Sequence, residues 1–349
     1  MRSLLSQCRI SFQSLRWMSE NPDTRNLYKN RKTVELIGMP LHYGQPIVGT
    51  DLAPHQIRQA GIVSVIEKMG LSVVDDGDLD LEFGSVQSTV QPRRSLETGA
   101  ALKLLRETVA RAMRNNHVPV VLGGDHSLAM GSITGVLDVH PDACVFWIDA
   151  HADINTPSSS HSGNIHGMPV SGLIPGVYDW SKVPGFSWVD PKLDPARICM
   201  IGLRDVDPEE KEILAASGVL AYTMEDVDDM GIMAIMDEAI KKVNPTHDRP
   251  IHVSFDVDGL DPTVAASTGT RVLGGLTFRE GRYILEQLFR TGLIASMDVV
   301  EVNPLMNSHA TAFSTLTHSK MPMNGTVAVA MELIACALGR SLRYGHGHQ

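Results

Sequence analysis

The sequence is short of cysteine: Cys8, Cys144, Cys199 and Cys336 lie far apart and form no CxxC pair. That argues against a disulfide framework and for reduced thiols in a reducing compartment. No run of about 18 apolar residues occurs, which excludes a membrane-spanning helix. Cations are outnumbered, with 30 Lys and Arg against 40 Asp and Glu, a net charge of −10 and a pI near 5.7. A general nucleic-acid binder would need clustered cations instead. Gly/Ser linkers and internal repeats are also missing. What is present is core material. Hydrophobic residues make up 43% and charged residues 20% of 349 positions, enough for a substantial core and incompatible with global disorder. The length admits two domains at about 150 residues each, but a single large α/β domain of this size is common.

The first residues differ from the rest. Arg2, Arg9 and Arg16 are seven apart and share one side of a helix, with Leu4, Leu5, Phe12 and Leu15 along another stretch, and no acid precedes Glu20. An amphipathic, Arg- and Ser-rich, acid-poor segment is the pattern of a mitochondrial presequence. Residues 1–18 are therefore expected to direct the chain to the mitochondrial matrix, with 19–32 a flexible linker, 33–340 the folded domain and 341–349 a polar tail. His346 and His348 in that tail read as solvated rather than as a metal site.

From residue 33, apolar runs alternate with helical stretches. Strands are expected at 34–38, 72–75, 118–122, 143–148, 197–201, 219–222, 251–255 and 295–300. Helices are expected at 96–114, 224–243, 279–291 and 326–339. In the first of these, Leu102, Leu105, Val109 and Ala112 recur at three- and four-residue steps, which marks one buried face. Alternating strands and helices predict βαβ units and a mainly parallel sheet covered on both faces. The Ser-, Gly- and Pro-rich loop from 155 to about 195 is too long for a mere connector.

Three clusters follow predicted strands: GGDHS at 123–127, DAHAD at 149–153 and SFDVDGLDP at 254–262. Ligands of open α/β sheets bind beyond the carboxyl ends of the strands, so these clusters converge on one crevice. Alternation along a continuing strand would aim Asp149, His151 and Asp153 one way, and Asp256 and Asp258 likewise. Two imidazoles and four carboxylates overfill one octahedral ion but suit two ions with bridging carboxylates. An oxygen-rich set with some imidazole favours Mn2+, with Fe2+, Co2+, Ni2+ or Zn2+ as substitutes. Such a pair makes a nucleophile of water at neutral pH.

These motifs resemble the ureohydrolases, and among them the arginases. DAHADINTP (149–157), SGNIHGMPV (162–170), GLRDVDP (202–208), GGLTFREG (274–281) and EVNP (301–304) extend the similarity from about residue 34 to 340, and the Arg-rich start makes it similar to the mitochondrial form. The resemblance implies a central eight-stranded parallel sheet and two Mn2+ ions per subunit. It implies hydrolysis of L-arginine to L-ornithine and urea by attack of a bridging hydroxide. One ion would be held by His126, Asp149, Asp153 and Asp256, the other by His151, Asp149, Asp256 and Asp258. Glu301 would hold the guanidinium, Asp153 would relay a proton to the departing amine, and His166 would shuttle protons to solvent. Asn155 and Ser162 would read the substrate α-carboxylate and Asp207 its ammonium, with Ser160, Glu210 and Thr270 also binding substrate. A homotrimer is implied, with Arg279 and Glu280 as contacts.

The chain departs from the family pattern at Ile47, where arginine is usual, at His161, where a hydroxyl is usual, and at Ala266 and Arg271, which replace prolines. Agmatine or guanidinobutyrate are the alternative substrates. A silent guanidino-binding regulator is disfavoured because every implied ligand and the proton shuttle are present. A dinuclear phosphoesterase is disfavoured by Glu301, an acid where phosphate would need cations.

Overall fold

The computed structural model describes residues 31–81, 92–306 and 324–340. The expected presequence, residues 19–30 of the linker and the His-containing tail lie outside the described residues. Eight strands form one sheet: β1 (Thr33–Gly38), β2 (Ser72–Asp78), β3 (Val118–Leu122), β4 (Cys144–Ile148), β5 (Ile198–Leu203), β6 (Leu220–Thr223), β7 (Ile251–Asp256) and β8 (Ile294–Val300). Their order is β2-β1-β3-β8-β7-β4-β5-β6, and each pairing is parallel. The expected parallel α/β sheet is the one observed.

The helices are α1 (Ala53–Gln59), α2 (Ile62–Lys68), α3 (Ser95–Arg114), α4 (Ala129–Leu137), α5 (Pro208–Ser217), α6 (Met224–Met230), α7 (Ile232–Val243), α8 (Phe278–Thr291) and α9 (Gly325–Ala337). Strand alternation sorts the core into two layers. Leu36, Val120 and Phe146 join α1, α2 and α6 to α9 on one face. Ile37, Val121 and Trp147 join α3, α4 and the long loop on the other. The central strands are buried along their whole length. VPVVL and CVFWI are accordingly near-continuous apolar runs, whereas β7, IHVSFD, alternates and buries His252, Ser254 and Asp256 on one face.

Two readings need correction. The helix expected over 224–243 is two helices, because Gly231 takes φ 76° and ψ 145° and its N–H still bonds back to the Val227 carbonyl. Helices α1, α2, α4 and α5 were not expected. Every residue of α4 is buried, so it shows no polar face, and α5 buries only Glu210. The loop beyond Asn155 has neither strand nor α-helix, yet Met168, Trp180 and Phe186 are fully buried in it. It is a packed layer over one sheet face.

The turn after β3 shows how tightly the strand ends are set. A Cβ on Gly124 would stand 2.0 Å from the Leu41 carbonyl oxygen and 2.6 Å from its nitrogen. Gly124→Ala is therefore expected to destabilise the fold by roughly 1–3 kcal/mol, read from denaturant melts. Unchanged stability would contradict this close approach.

Candidate metal centre and substrate cleft

The site is built from turns immediately beyond β3, β4 and β7. After β3, Asp125 caps the short turn His126–Leu128 by accepting the Ser127 N–H at 3.1 Å. β4 ends at Ile148 and β7 at Asp256. Asp149, His151, Asp153 and Asp258 thus lie past the strands, and pleat alternation does not aim them. Turn hydrogen bonds do. His151 N–H donates to Asp149 Oδ1 at 2.7 Å, Asp258 N–H to Asp256 Oδ1 at 2.7 Å, and Ala150 N–H to Asp258 Oδ1 at 3.3 Å. Asp153 reaches the site only with a left-handed φ of 48°, an unusual state for a residue with a Cβ.

The outcome is one constellation. His126 Nδ1 lies 2.9 Å from Asp149 Oδ2, 3.2 Å from Asp153 Oδ2 and 3.3 Å from Asp256 Oδ2. His151 Nδ1 lies 3.3 Å from both Asp149 Oδ1 and Asp258 Oδ2. His126, Asp149 and Asp153 form one group of mutually close donors, and Asp149, His151 and Asp258 a second. All six expected ligands are brought together, with Asp149 common to both groups.

Buried His126 Nδ1 faces three carboxylates yet makes no hydrogen bond of acceptable geometry with any of them. Its other ring nitrogen, Nε2, is 2.9 Å from Ser254 Oγ, and an Nε2–H donor there leaves Nδ1 as a bare lone pair. The ring stacks on Trp147 at 4.0 Å, and the Trp147 indole N–H donates to Asp149 Oδ2 at 3.0 Å. A lone pair amid inward carboxylate oxygens suits a cation, so these residues fit metal ions.

The electrostatics agree. Burial, then the charges of Asp258 and Asp149, push the Asp256 carboxyl well above its ordinary range. Burial and Asp149 push Asp153 up to about 6. Asp149 alone moves down: burial opposes its charge, but His126 and His151 outweigh that. Without metal, the cluster sheds charge by taking up protons; dications do the same without protonating the ligands.

A cleft opens beside this centre, lined by His151, Asp153, Asp256 and every expected substrate contact except Glu301. Asn155 donates to Asp207 Oδ2 at 2.9 Å. The hydroxyls of Ser160 and Ser162 lie 3.4 Å apart. Glu210 accepts the N–H groups of Ile154 and Asp207, both at 3.0 Å, while burial and Asp153 push its pKa to about 7. Thr270 donates to Asp258 Oδ2 at 2.7 Å. Glu301 sits deeper, 1% exposed and with φ 61°. Its Oε1 accepts the His126 N–H at 2.9 Å and lies 3.0 Å from His166 Nδ1. Burial opposes protonation of His166, but Glu301 overcomes it and raises the pKa to about 9.

None of the departures is among the residues lining the cleft. His161 Nε2 meets Glu209 Oε1 at 3.2 Å, Ile47 packs near Gly269, and Arg271 is exposed. Sequence reading missed Asp125, Asp205 and Ser254. Ser254 shares a strand face with Asp256, a signal available from alternation, whereas Asp205 lines the cleft from a turn that no periodicity marks. Asp256→Ala is expected to lose at least one bound ion by elemental analysis. Chelation of the intact protein should lower its Tm by mass action.

Comparison with known proteins places this geometry. Residues 32–338 match the description "Arginase family". The chain is 44% identical over 304 residues to Arginase-1 of Mus musculus, covering 86% of this chain and 92% of that protein. It is 41% identical over 328 residues to the mitochondrial Arginase-2 of Rattus norvegicus, covering 92% and 88%. The native arginase structure from Bacillus caldovelox superposes with a TM-score of 0.80 at 32% identity, covering 89% of this chain and all of that one.

Proposed function

From the premise that this chain belongs to the arginase family and hydrolyses L-arginine to L-ornithine and urea, we propose that it does so with two Mn2+ ions and the following residue roles. His126, Asp149, Asp153 and Asp256 hold one ion, and His151, Asp149, Asp256 and Asp258 the other. The observation that carries this is the unpartnered Nδ1 of His126 enclosed by carboxylate oxygens. Bound ions of this kind lower the pKa of water and so supply a nucleophile at neutral pH.

The chain's own groups do the rest. A guanidinium is permanently charged and resonance-stabilised, hence a poor electrophile. Glu301 holds and orients it. Asp153, on the cleft wall, passes a proton to the departing amine. His166 stands at the same wall with its ring 17% exposed, placed to exchange protons with solvent. Asn155, Ser160 and Ser162 offer neutral donors to the α-carboxylate, and Asp207 and Glu210 offer acceptors to the ammonium. The carboxylate-reading set is what selects arginine over agmatine.

The assembly is proposed to be a homotrimer. Arg279 and Glu280 are its candidate contacts: Arg279 is exposed, and Glu280 Oε2 accepts both the N–H and the hydroxyl of Thr277. No helix among the described residues is long and apolar enough to cross a membrane. Residues 1–18 are proposed to direct the chain to the mitochondrial matrix, supported by the Arg-rich pattern and the similarity to a mitochondrial arginase.

His166→Ala should retain both ions and lose roughly 10²–10⁴ in kcat; a fall in metal content would make it a ligand instead. Ser162→Ala should raise KM for arginine and leave agmatine hydrolysis nearly unchanged, whereas Asp207→Ala should raise KM for both, since both carry the ammonium, each read as urea release. Equal turnover of the two substrates by the unaltered protein would defeat the carboxylate reading. A reporter fused to residues 1–30 should enter mitochondria, and cytosolic retention would overturn the targeting role.

A further inference from the structure

Asp125 has no part in the roles above, yet it is completely buried beside the metal centre. A buried carboxylate is costly unless its oxygens are hydrogen-bonded. Both are, and they serve different partners. Oδ1 accepts the Ser127 N–H at 3.1 Å and also the Ser127 hydroxyl, capping the turn that presents His126. Oδ2 accepts the Gly44 N–H at 2.8 Å. The Gly44 carbonyl in turn accepts the backbone N–H of His166 at 3.1 Å.

One line of hydrogen bonds therefore runs from the Asp125 carboxylate through a single residue, Gly44, whose N–H and carbonyl belong to successive peptides, to the main chain of His166. Gly44 suits this contact. A Cβ there would stand 2.5 Å from Asp125 Oδ1 and 2.7 Å from Ser127 Oγ, so a side chain would lift the peptide off the carboxylate. The His166 ring is fixed independently, through Nδ1 and Glu301 Oε1. That same Glu301 oxygen accepts the His126 N–H. His166 is thus held at its ring by Glu301 and at its backbone by Gly44, and both lines of contact return to residues 125 and 126.

We propose that Asp125 is a positioning residue for His166, setting through the backbone of Gly44 where the imidazole stands relative to the metal centre. This rests on the reading of His166 as a participant in turnover. An asparagine at 125 has one acceptor oxygen and cannot serve both sets of donors. Two donors of Ser127 compete with the single N–H of Gly44, so the oxygen stays with Ser127 and the amide nitrogen turns toward Gly44. Asp125→Asn thus spares the His126 turn and loosens His166.

The test is a double-mutant cycle on the full chain loaded with Mn2+: Asp125→Asn, His166→Ala and the double variant, each analysed for metal content and for urea release. Asp125→Asn should lower kcat about ten- to a hundredfold with KM nearly unchanged and metal content unaltered. Groups that act through one another are non-additive, so the double variant should match His166→Ala alone. Losses that multiply, or metal lost from Asp125→Asn, would overturn the proposal while leaving the role of His166 intact. A His166→Ala enzyme of normal rate would remove that role and the proposal with it. If Asp125→Asn does not fold, Gly44→Ala enters the same cycle with the same deciding outcomes.

Discussion

Four carboxylates and two imidazoles crowd one small volume at the carboxyl ends of β3, β4 and β7, and the surrounding chain is arranged around that concentration of charge. Buried like charges repel strongly and persist only with counter-charge or hydrogen bonds. Asp149, fully buried, lies between both histidines. Its neighbours Asp153, Asp256 and Asp258 are all displaced toward the protonated form by burial and mutual repulsion. The turn amides of Ala150, His151 and Asp258 each donate to one of these carboxylates, so the backbone path beyond the strands is itself tied to the charges. The two left-handed non-glycine residues at the site, Asp153 and Glu301, show where that path is strained, as functional sites often are.

The sheet supplies rigidity from below. β8 lies between β3 and β7, and β7 beside β4, so the three ligand-bearing ends and Glu301 come from neighbouring strands. Under them lies a second, wholly buried polar network. His252 Nδ1 is 2.8 Å from Ser296 Oγ and its Nε2 is 3.1 Å from Asp298 Oδ2, which also accepts the Ser132 hydroxyl at 2.5 Å. His252, Ser254 and Asp256 alternate onto one face of β7, so this network and the metal centre share a wall. These hydrogen bonds tie together β7, β8 and α4, while the other oxygen of Asp298, Oδ1, is buried without a partner. On the far side, Arg204 donates to the carbonyls of Asp258 at 2.6 Å, Val272 at 2.8 Å and Gly202 at 3.1 Å. That one guanidinium joins the end of β5 to the metal turn and to the loop bearing Thr270.

Legibility in the sequence followed the physics of each element. VPVVL and CVFWI announce strands because a sheet covered on both faces has no polar side to interrupt them, while IHVSFD announces one by strict alternation of Ile251, Val253 and Phe255 with His252, Ser254 and Asp256. α3 is legible from its single buried face. α4 is not, since AMGSITGVL is buried all round and presents no contrast. α5 fails for the opposite reason: PEEKEILAAS is charged at its start and only Glu210 is buried. The break at Gly231 looks in sequence like one tolerated glycine within a helical pattern, and only its backbone angles reveal the stop.

The ligands divide the same way. Carboxylate and imidazole chemistry is local, so the sequence by itself determined the donor set, its oxygen-rich character and the alternation that makes a parallel sheet. It did not determine how those donors face one another. Alternation pointed Asp149, His151 and Asp153 one way along a strand, whereas β4 stops at Ile148 and turn hydrogen bonds turn them inward. The enclosure of the His126 nitrogen by three carboxylates, the depth of Glu301 and the Gly44 bridge from Asp125 to His166 were decided by tertiary structure alone. Each joins residues far apart in the chain, and their meeting depends on strand order and close backbone approach, which no local pattern encodes.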